Sequence, residues 1–140
     1  MTSRTGMADN RTVCEISGEG SLLAVRSSLR TAATELRFGV VAQTKLITAA
    51  SELARNILRY ASQGTMAIER VQDGARAGLL VRFEDQGPGI EDLDLALQDG
   101  YSTGDSMGVG LPGARRLVDE FRIESRRGGG TVVEATMWTR

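Results

Sequence analysis

Residues 81–111 read VRFEDQGPGIEDLDLALQDGYSTGDSMGVGL, and the reading of this stretch decides the fold. It opens as a strand and closes as the start of a helix. Between them it carries Gly87, Gly89, Gly100, Gly104, Gly108 and Gly110, with Gly113 just beyond. Leu79, Val81 and Phe83 share one face of a period-2 strand, and Asp85 falls on that same face. A carboxylate ending an apolar row needs a partner, because an unpaired buried charge is costly. A ligand amino group would serve, and so would a pair of backbone N–H groups. At the other end, Gly104, Gly108 and Gly110 lead into a helix beginning near Leu111, with Pro112 in the first turn, where its missing N–H costs nothing. A glycine-rich loop running into a helix N-terminus attracts anions. An acceptor for an amino group at one end and a phosphate cradle at the other predict a nucleotide between them. The acidic insert between the two glycine clusters, about 90–107, predicts a mobile cover.

Working outward, residues 77–85 pair with a strand at 65–72 through the hairpin signal DGAR. Two helices precede them. The first, about 22–37, has Leu22, Val25, Leu29, Ala32, Ala33 and Leu36 on one side, with Gly39 as its stop. The second, about 41–62, has the stripe Leu46, Ala50, Leu53, Ile57 and Ala61, and Gly64 ends it. A short strand at 12–17 opens the fold, and residues 1–10 are expected to form a flexible N-terminus. Beyond the insert, with one helical turn expected at 91–98, a helix at 111–120 turns Leu111, Ala114, Leu117, Val118 and Phe121 inward. Strands at 121–127 and 131–138 then flank Gly128-Gly129-Gly130. The order β-α-α-β-β-loop-α-β-β argues one α+β domain over 11–140. The expected architecture is a two-layer sandwich, a mixed or antiparallel sheet with helices on one face.

Composition narrows the chemistry. The 140 residues contain 41% hydrophobic and 25% charged side chains, ordinary for a globular domain. A net charge of −1 gives no reason to expect a nucleic-acid or anionic-membrane partner. There is no histidine, which removes His-based acid–base chemistry and the Ser-His-Asp route. Cys14 is the only cysteine, so there is no intrachain disulfide and no multi-cysteine metal site. A general base must be a carboxylate, a tyrosine, or Lys45, the only lysine. No apolar run approaches the roughly 20 residues of a membrane span. The first ten residues lack a signal-peptide core, and a cytoplasmic location is expected.

Three constellations carry the chemistry, each with two readings. Glu52 and Asn56 stand one turn apart on the second helix, off the Leu53/Ile57 stripe. An amide oxygen suits Mg²⁺ and a carboxylate one turn away can take a hydroxyl proton. Otherwise Glu52, Arg55, Asn56 and Arg59 form a solvated face of weak pairs. Asp85-Gln86-Gly87-Pro88-Gly89-Ile90 is either a ligand-binding turn or simply the turn after a strand, though Asp85's inward parity resists the second reading. Thr131 ends the apolar row Val133, Ala135, Met137 as Asp85 ends its own. It either reads an adenine edge with Asp85 or only bonds backbone at the hairpin. Gly108-Val109-Gly110-Leu111-Pro112-Gly113 matches GxGxxG formally, but polar loop rather than a strand precedes it, so it is not a dinucleotide fingerprint.

Together these boxes resemble the GHKL ATPase superfamily, which shares the Bergerat nucleotide fold. Glu52…Asn56 looks like its N box, Asp85 to Gly89 its first glycine box, and Gly104 to Leu111 its second. The segments SELARNILRYA, FEDQGPGI, LALQDGYST and GVGLPGARRLVDEF, with the terminal GGGT, are similar to the small RsbT-like serine/threonine kinases of bacterial stress signalling. That resemblance implies ATP and Mg²⁺ as cofactors. It implies that Asp85 binds the adenine amino group with Thr131 assisting, that Asn56 ligates Mg²⁺ and that Glu52 is the catalytic carboxylate. Gly87, Gly89, Ile90, Gly104, Gly108 and Gly110 would shape the pocket, and backbone N–H groups of Gly108, Val109, Gly110 and Leu111 would meet phosphates. The implied partners are STAS-domain antagonist or scaffold proteins, with a PP2C-type phosphatase or sigma factor downstream; a homodimer is compatible. The insert holds Glu91, Asp92, Asp94, Asp99 and Asp105 and no lysine or arginine, so phosphate charge would fall to Mg²⁺, the helix N-terminus, and Arg115 or Arg116. The alternative is a nucleotide-dependent binding module, an anti-sigma factor or a phosphatase-activating adaptor. The intact Glu52 favours the kinase, since a pure binder needs no base.

Overall fold

A computed structural model describes residues 11–90, 96–97 and 110–139. The expectations for residues 1–10, for most of the insert and for Gly104, Gly108 and Val109 lie outside the described residues. Among the described residues, five strands and three helices follow one another as β1 (Arg11–Ile16), α1 (Glu19–Glu35), α2 (Val40–Tyr60), β2 (Gly64–Asp73), β3 (Arg76–Asp85), α3 (Gly110–Leu117), β4 (Glu120–Arg126) and β5 (Gly130–Trp138). The sheet order is β1-β2-β3-β5-β4, and every neighbouring pair is antiparallel. The expected two-layer α+β sandwich is therefore present, in its purely antiparallel form.

Period-2 alternation sets which face meets the helices. Met66 and Ile68 on β2, Leu79, Val81 and Phe83 on β3, and Val133 and Met137 on β5 are buried in one cluster with Leu29, Leu46, Leu53 and Ile57 of the helices. The opposite face carries charge. Arg82 lies 2.9 Å from Glu134 and 3.6 Å from Glu84, and Arg122 lies 3.6 Å from Glu134. Such exposed pairs contribute little stability but keep the uncovered face wet. Arg70 of β2 also pairs with Glu35 at the end of α1.

Three boundaries differ from the sequence reading. Gly39 does not stop α1. Arg37 takes the left-handed conformation, φ 63°, and the Arg37 and Phe38 N–H groups bond the Thr34 and Ala33 carbonyls at 3.0 and 2.9 Å. This is the six-to-one, five-to-two closure of a Schellman end, with Phe38 buried beneath it. Gly39 instead caps the start of α2. Nor does Gly64 stop α2. That helix ends at Tyr60, Ser62 takes φ 73°, and Gly64 is the first residue of β2. Finally, α3 stops at Leu117, and Phe121 packs against the core from β4 rather than from a helix.

Candidate nucleotide and phosphoryl-transfer site

The sheet brings Asp85 and Thr131 directly opposite each other. Cross-strand register pairs Gly64 with Asp85, Asp85 with Thr131, and Thr131 with Ser125. One row at the end of the apolar face thus reads glycine, carboxylate, hydroxyl, hydroxyl. Asp85 Oδ1 accepts the Gly87 N–H at 2.8 Å. The other carboxylate oxygen remains for a ligand amino group. Gly87 sits so close to the end of α2 that a Cβ there would lie 2.6 Å from that of Ala61. The absent side chain lets the turn after Asp85 pack against the end of α2.

Ser125 is the residue that sequence reasoning passed over. Its hydroxyl accepts the Ile90 N–H at 2.6 Å, lies 2.8 Å from the Thr131 hydroxyl and 3.2 Å from the Gly130 carbonyl. The Gly128 N–H also bonds the Pro88 carbonyl at 2.6 Å. The β4–β5 hairpin therefore clamps the turn from Pro88 to Ile90. Gly89 closes the clamp. It takes φ +81°, and any Cβ would collide with the Arg126 carbonyl, so only glycine fits there. The signal for Ser125 was available. Phe121, Ile123 and Ser125 share one parity, and Ser125 is the polar end of that row. Ser125→Ala should destabilise the fold by about 1–3 kcal/mol, since the Ile90 donor loses its partner. A lower urea midpoint with unchanged m is the expected result, and an unchanged midpoint contradicts the clamp.

A cavity of about 440 Å³ opens at this end of the sheet, lined by Asp85, Ser125 and Thr131 of the site row and also by Glu84, Glu124 and Arg126 of the opposite parity. Glu52 and Asn56 lie outside that lining. They stand on α2, under α3. Glu52 is 9% exposed, so the solvated-face reading does not hold for it. Oε1 accepts Arg55 Nη1 at 2.8 Å, and Oε2 accepts the Gly110 N–H at 3.2 Å. The second contact joins the N box to the start of α3 across 58 residues of chain. Asn56 is half-buried, and no described residue bonds its side chain. Leu111 is half-buried at the same end of α3, beside buried Pro112, Gly113 and Ala114. Arg115 reaches instead toward the Leu97 carbonyl, 3.5 Å away.

A family model described as histidine kinase-, DNA gyrase B- and HSP90-like ATPase matches residues 41–140, which takes in α2, both described glycine-box ends and the terminal hairpin. The chain belongs to this ATPase family. Within it, the chain is 45% identical over 132 residues to the serine/threonine-protein kinase RsbT of Bacillus subtilis (strain 168), covering 94% of this chain and 99% of that one. It is thus a homologue of a protein kinase along nearly the whole of both chains, and an ATPase domain implies use of ATP. Among solved structures it is similar to the RsbU and RsbW domains of a Mycobacterium tuberculosis protein, with a TM-score of 0.62 and 20% identity. That match covers 90% of this chain but 32% of the other, so this chain spans about a third of that protein. The SiaB–SiaC complex of Pseudomonas aeruginosa gives a TM-score of 0.60 at 14% identity, over 97% of this chain and 95% of that one. Identities this low show a shared fold. No helix among the described residues is long and apolar enough to cross a membrane.

The residues present fit the nucleotide that an ATPase domain uses and the Mg²⁺ that the sequence resemblance implies. A nucleotide base would meet one uncommitted Asp85 oxygen and a neighbouring Thr131 hydroxyl. A hard divalent cation would meet an Asn56 amide oxygen that no described side chain engages.

Proposed function

We propose that the chain is an ATP-dependent serine/threonine protein kinase of the RsbT-like switch type. It would phosphorylate STAS-domain antagonist or scaffold proteins in the cytoplasm and so regulate a PP2C-type phosphatase or sigma-factor pathway. The observation that carries the reading is Glu52, a buried carboxylate held at the first N–H of α3 and one helical turn from Asn56. A module that only bound nucleotide would have no use for a base there.

In this reading Asp85 accepts the adenine amino group through the oxygen that Gly87 leaves uncommitted, and Thr131 contributes its hydroxyl beside it. Asn56 holds Mg²⁺, which when bound neutralises phosphate charge. Gly104, Gly108, Val109 and Leu111 supply the phosphate end, while the Gly110 N–H, expected there from the sequence, is held by Glu52 Oε2. The acceptor serine or threonine oxygen bonds to the γ-phosphorus as the bond from that phosphorus to the bridging oxygen breaks. ADP leaves with the bond's electron pair, and the hydroxyl proton passes to Glu52. A carboxylate has about four lone-pair sites, so the bonds from Arg55 and Gly110 leave room for that proton. Transfer of this kind depends mainly on positioning and electrostatics.

The direct test is ADP release from Mg-ATP with and without candidate STAS-domain proteins. Stimulation by one of them is the expected result, and no stimulation by any that binds contradicts the kinase reading. For the metal, Asn56→Ala should bind ATP with a reduced Mg²⁺ dependence. Calorimetry with and without Mg²⁺ reads this, and an unaltered dependence removes Asn56 as the ligand.

A further inference from the structure

Arg55 looks like half of an ordinary helix-surface pair. Its Nη1 donates to Glu52 Oε1 at 2.8 Å across an i, i+3 spacing, and its side chain is 44% exposed. Pairs of that kind contribute only a few tenths of a kcal/mol to stability. The partner is not ordinary. The Glu52 side chain is only 11% exposed, and its other oxygen accepts the Gly110 N–H through a longer, 3.2 Å contact. Two donors therefore hold opposite ends of one carboxylate, one from its own helix and one from α3. Glutamate has three rotatable side-chain bonds, and a single 3.2 Å contact fixes them poorly. The shorter, charge-assisted bond is the one that sets the carboxylate plane.

We infer that Arg55 is a positioning residue for phosphoryl transfer, locking the Glu52 carboxylate so that its α3-facing oxygen meets the acceptor hydroxyl. This rests on the kinase reading above, in which Glu52 is the base. Arg55 contributes little to folding, yet misplacing a reacting group by about 1 Å can cost on the order of 100-fold in rate. Its task is distinct from that of a phosphate-binding cation, since Nη1 is committed to Glu52 and the Mg-ATP affinity of an Arg55 variant tells the two tasks apart.

The experiment compares the unmodified chain with Arg55→Ala, Arg55→Lys, Glu52→Gln and the Arg55→Ala/Glu52→Gln double variant. Steady-state ADP release from Mg-ATP is measured with water and with a STAS-domain protein as acceptor. Mg-ATP affinity by calorimetry and the thermal midpoint are measured on the same preparations. Arg55→Ala should lower kcat by about 10- to 100-fold while leaving the KM for ATP and the midpoint in place. Arg55→Lys should recover part of the rate, and Arg55→Ala should cost nothing further in the Glu52→Gln background. A wild-type kcat in Arg55→Ala overturns the inference. So does an equal loss in both backgrounds, and so does a tenfold weaker Mg-ATP affinity, which would make Arg55 a phosphate ligand. If Glu52→Gln alone keeps the full rate, the base assignment fails first and the positioning role fails with it. That result is read on Glu52→Gln alone.

Discussion

Glu52→Ala is expected to bind Mg-ATP and its protein partner as the unmodified chain does, and to lose about 10²–10⁴-fold in phosphoryl transfer, the usual contribution of a positioned base. Binding should survive because Glu52 makes no contact with the Asp85–Thr131 row. Removing the carboxylate also frees the Gly110 N–H for a phosphate and removes a like charge from its vicinity, so affinity should stay level or rise. The chain contains no histidine to take over the proton. Affinity by calorimetry and transfer by mass spectrometry of the partner should be measured on one preparation, with a circular dichroism spectrum to confirm folding. Transfer at the wild-type rate would remove Glu52 from the role of base.

Asp85→Asn should weaken nucleotide binding by about 1.5–3 kcal/mol, the range for hydrogen bonds to a charged group. The direction follows from the Gly87 N–H. That donor lies 2.8 Å from Asp85 Oδ1, so an asparagine there would turn its carbonyl oxygen toward Gly87 and its NH₂ outward. The adenine amino group would then meet a donor in place of an acceptor. The loss corresponds to roughly 10- to 100-fold in Kd. A folded Asp85→Asn chain with unchanged Mg-ATP affinity would show that adenine is not read there.

Much of this site was legible before the fold was known, because strand parity is a strong constraint. Leu79, Val81 and Phe83 had to face the helices, and Asp85 followed them in. The same rule on Val133, Ala135 and Met137 carried Thr131 to the same end, and the antiparallel register makes the two cross-strand partners. Ser125 obeys the identical rule on β4 and needed only to be asked the same question. Glu52 was found by its spacing from Asn56, but its burial was not legible. Helical periodicity places it off the Leu53/Ile57 stripe, and only the packing of α3 on α2 encloses it. The contact with Gly110 spans 58 residues, beyond any local pattern. The end of α1 was misread for a different reason. Glycine is the usual left-handed residue at a helix stop, and Gly39 stood nearby. Burial of Phe38 fixes the closure two residues earlier and imposes the left-handed angle on Arg37, against its intrinsic preference.

The kinase and adaptor readings share one pocket and differ in a single event. The unmodified chain should be incubated with Mg-ATP and each candidate STAS-domain protein, and the partner's mass and phosphorylated position read by mass spectrometry. Phosphate is expected on a serine or threonine of a partner that the chain also binds. A partner that binds in a nucleotide-dependent manner and never acquires phosphate would contradict it and leave an adaptor in which ATP sets shape alone.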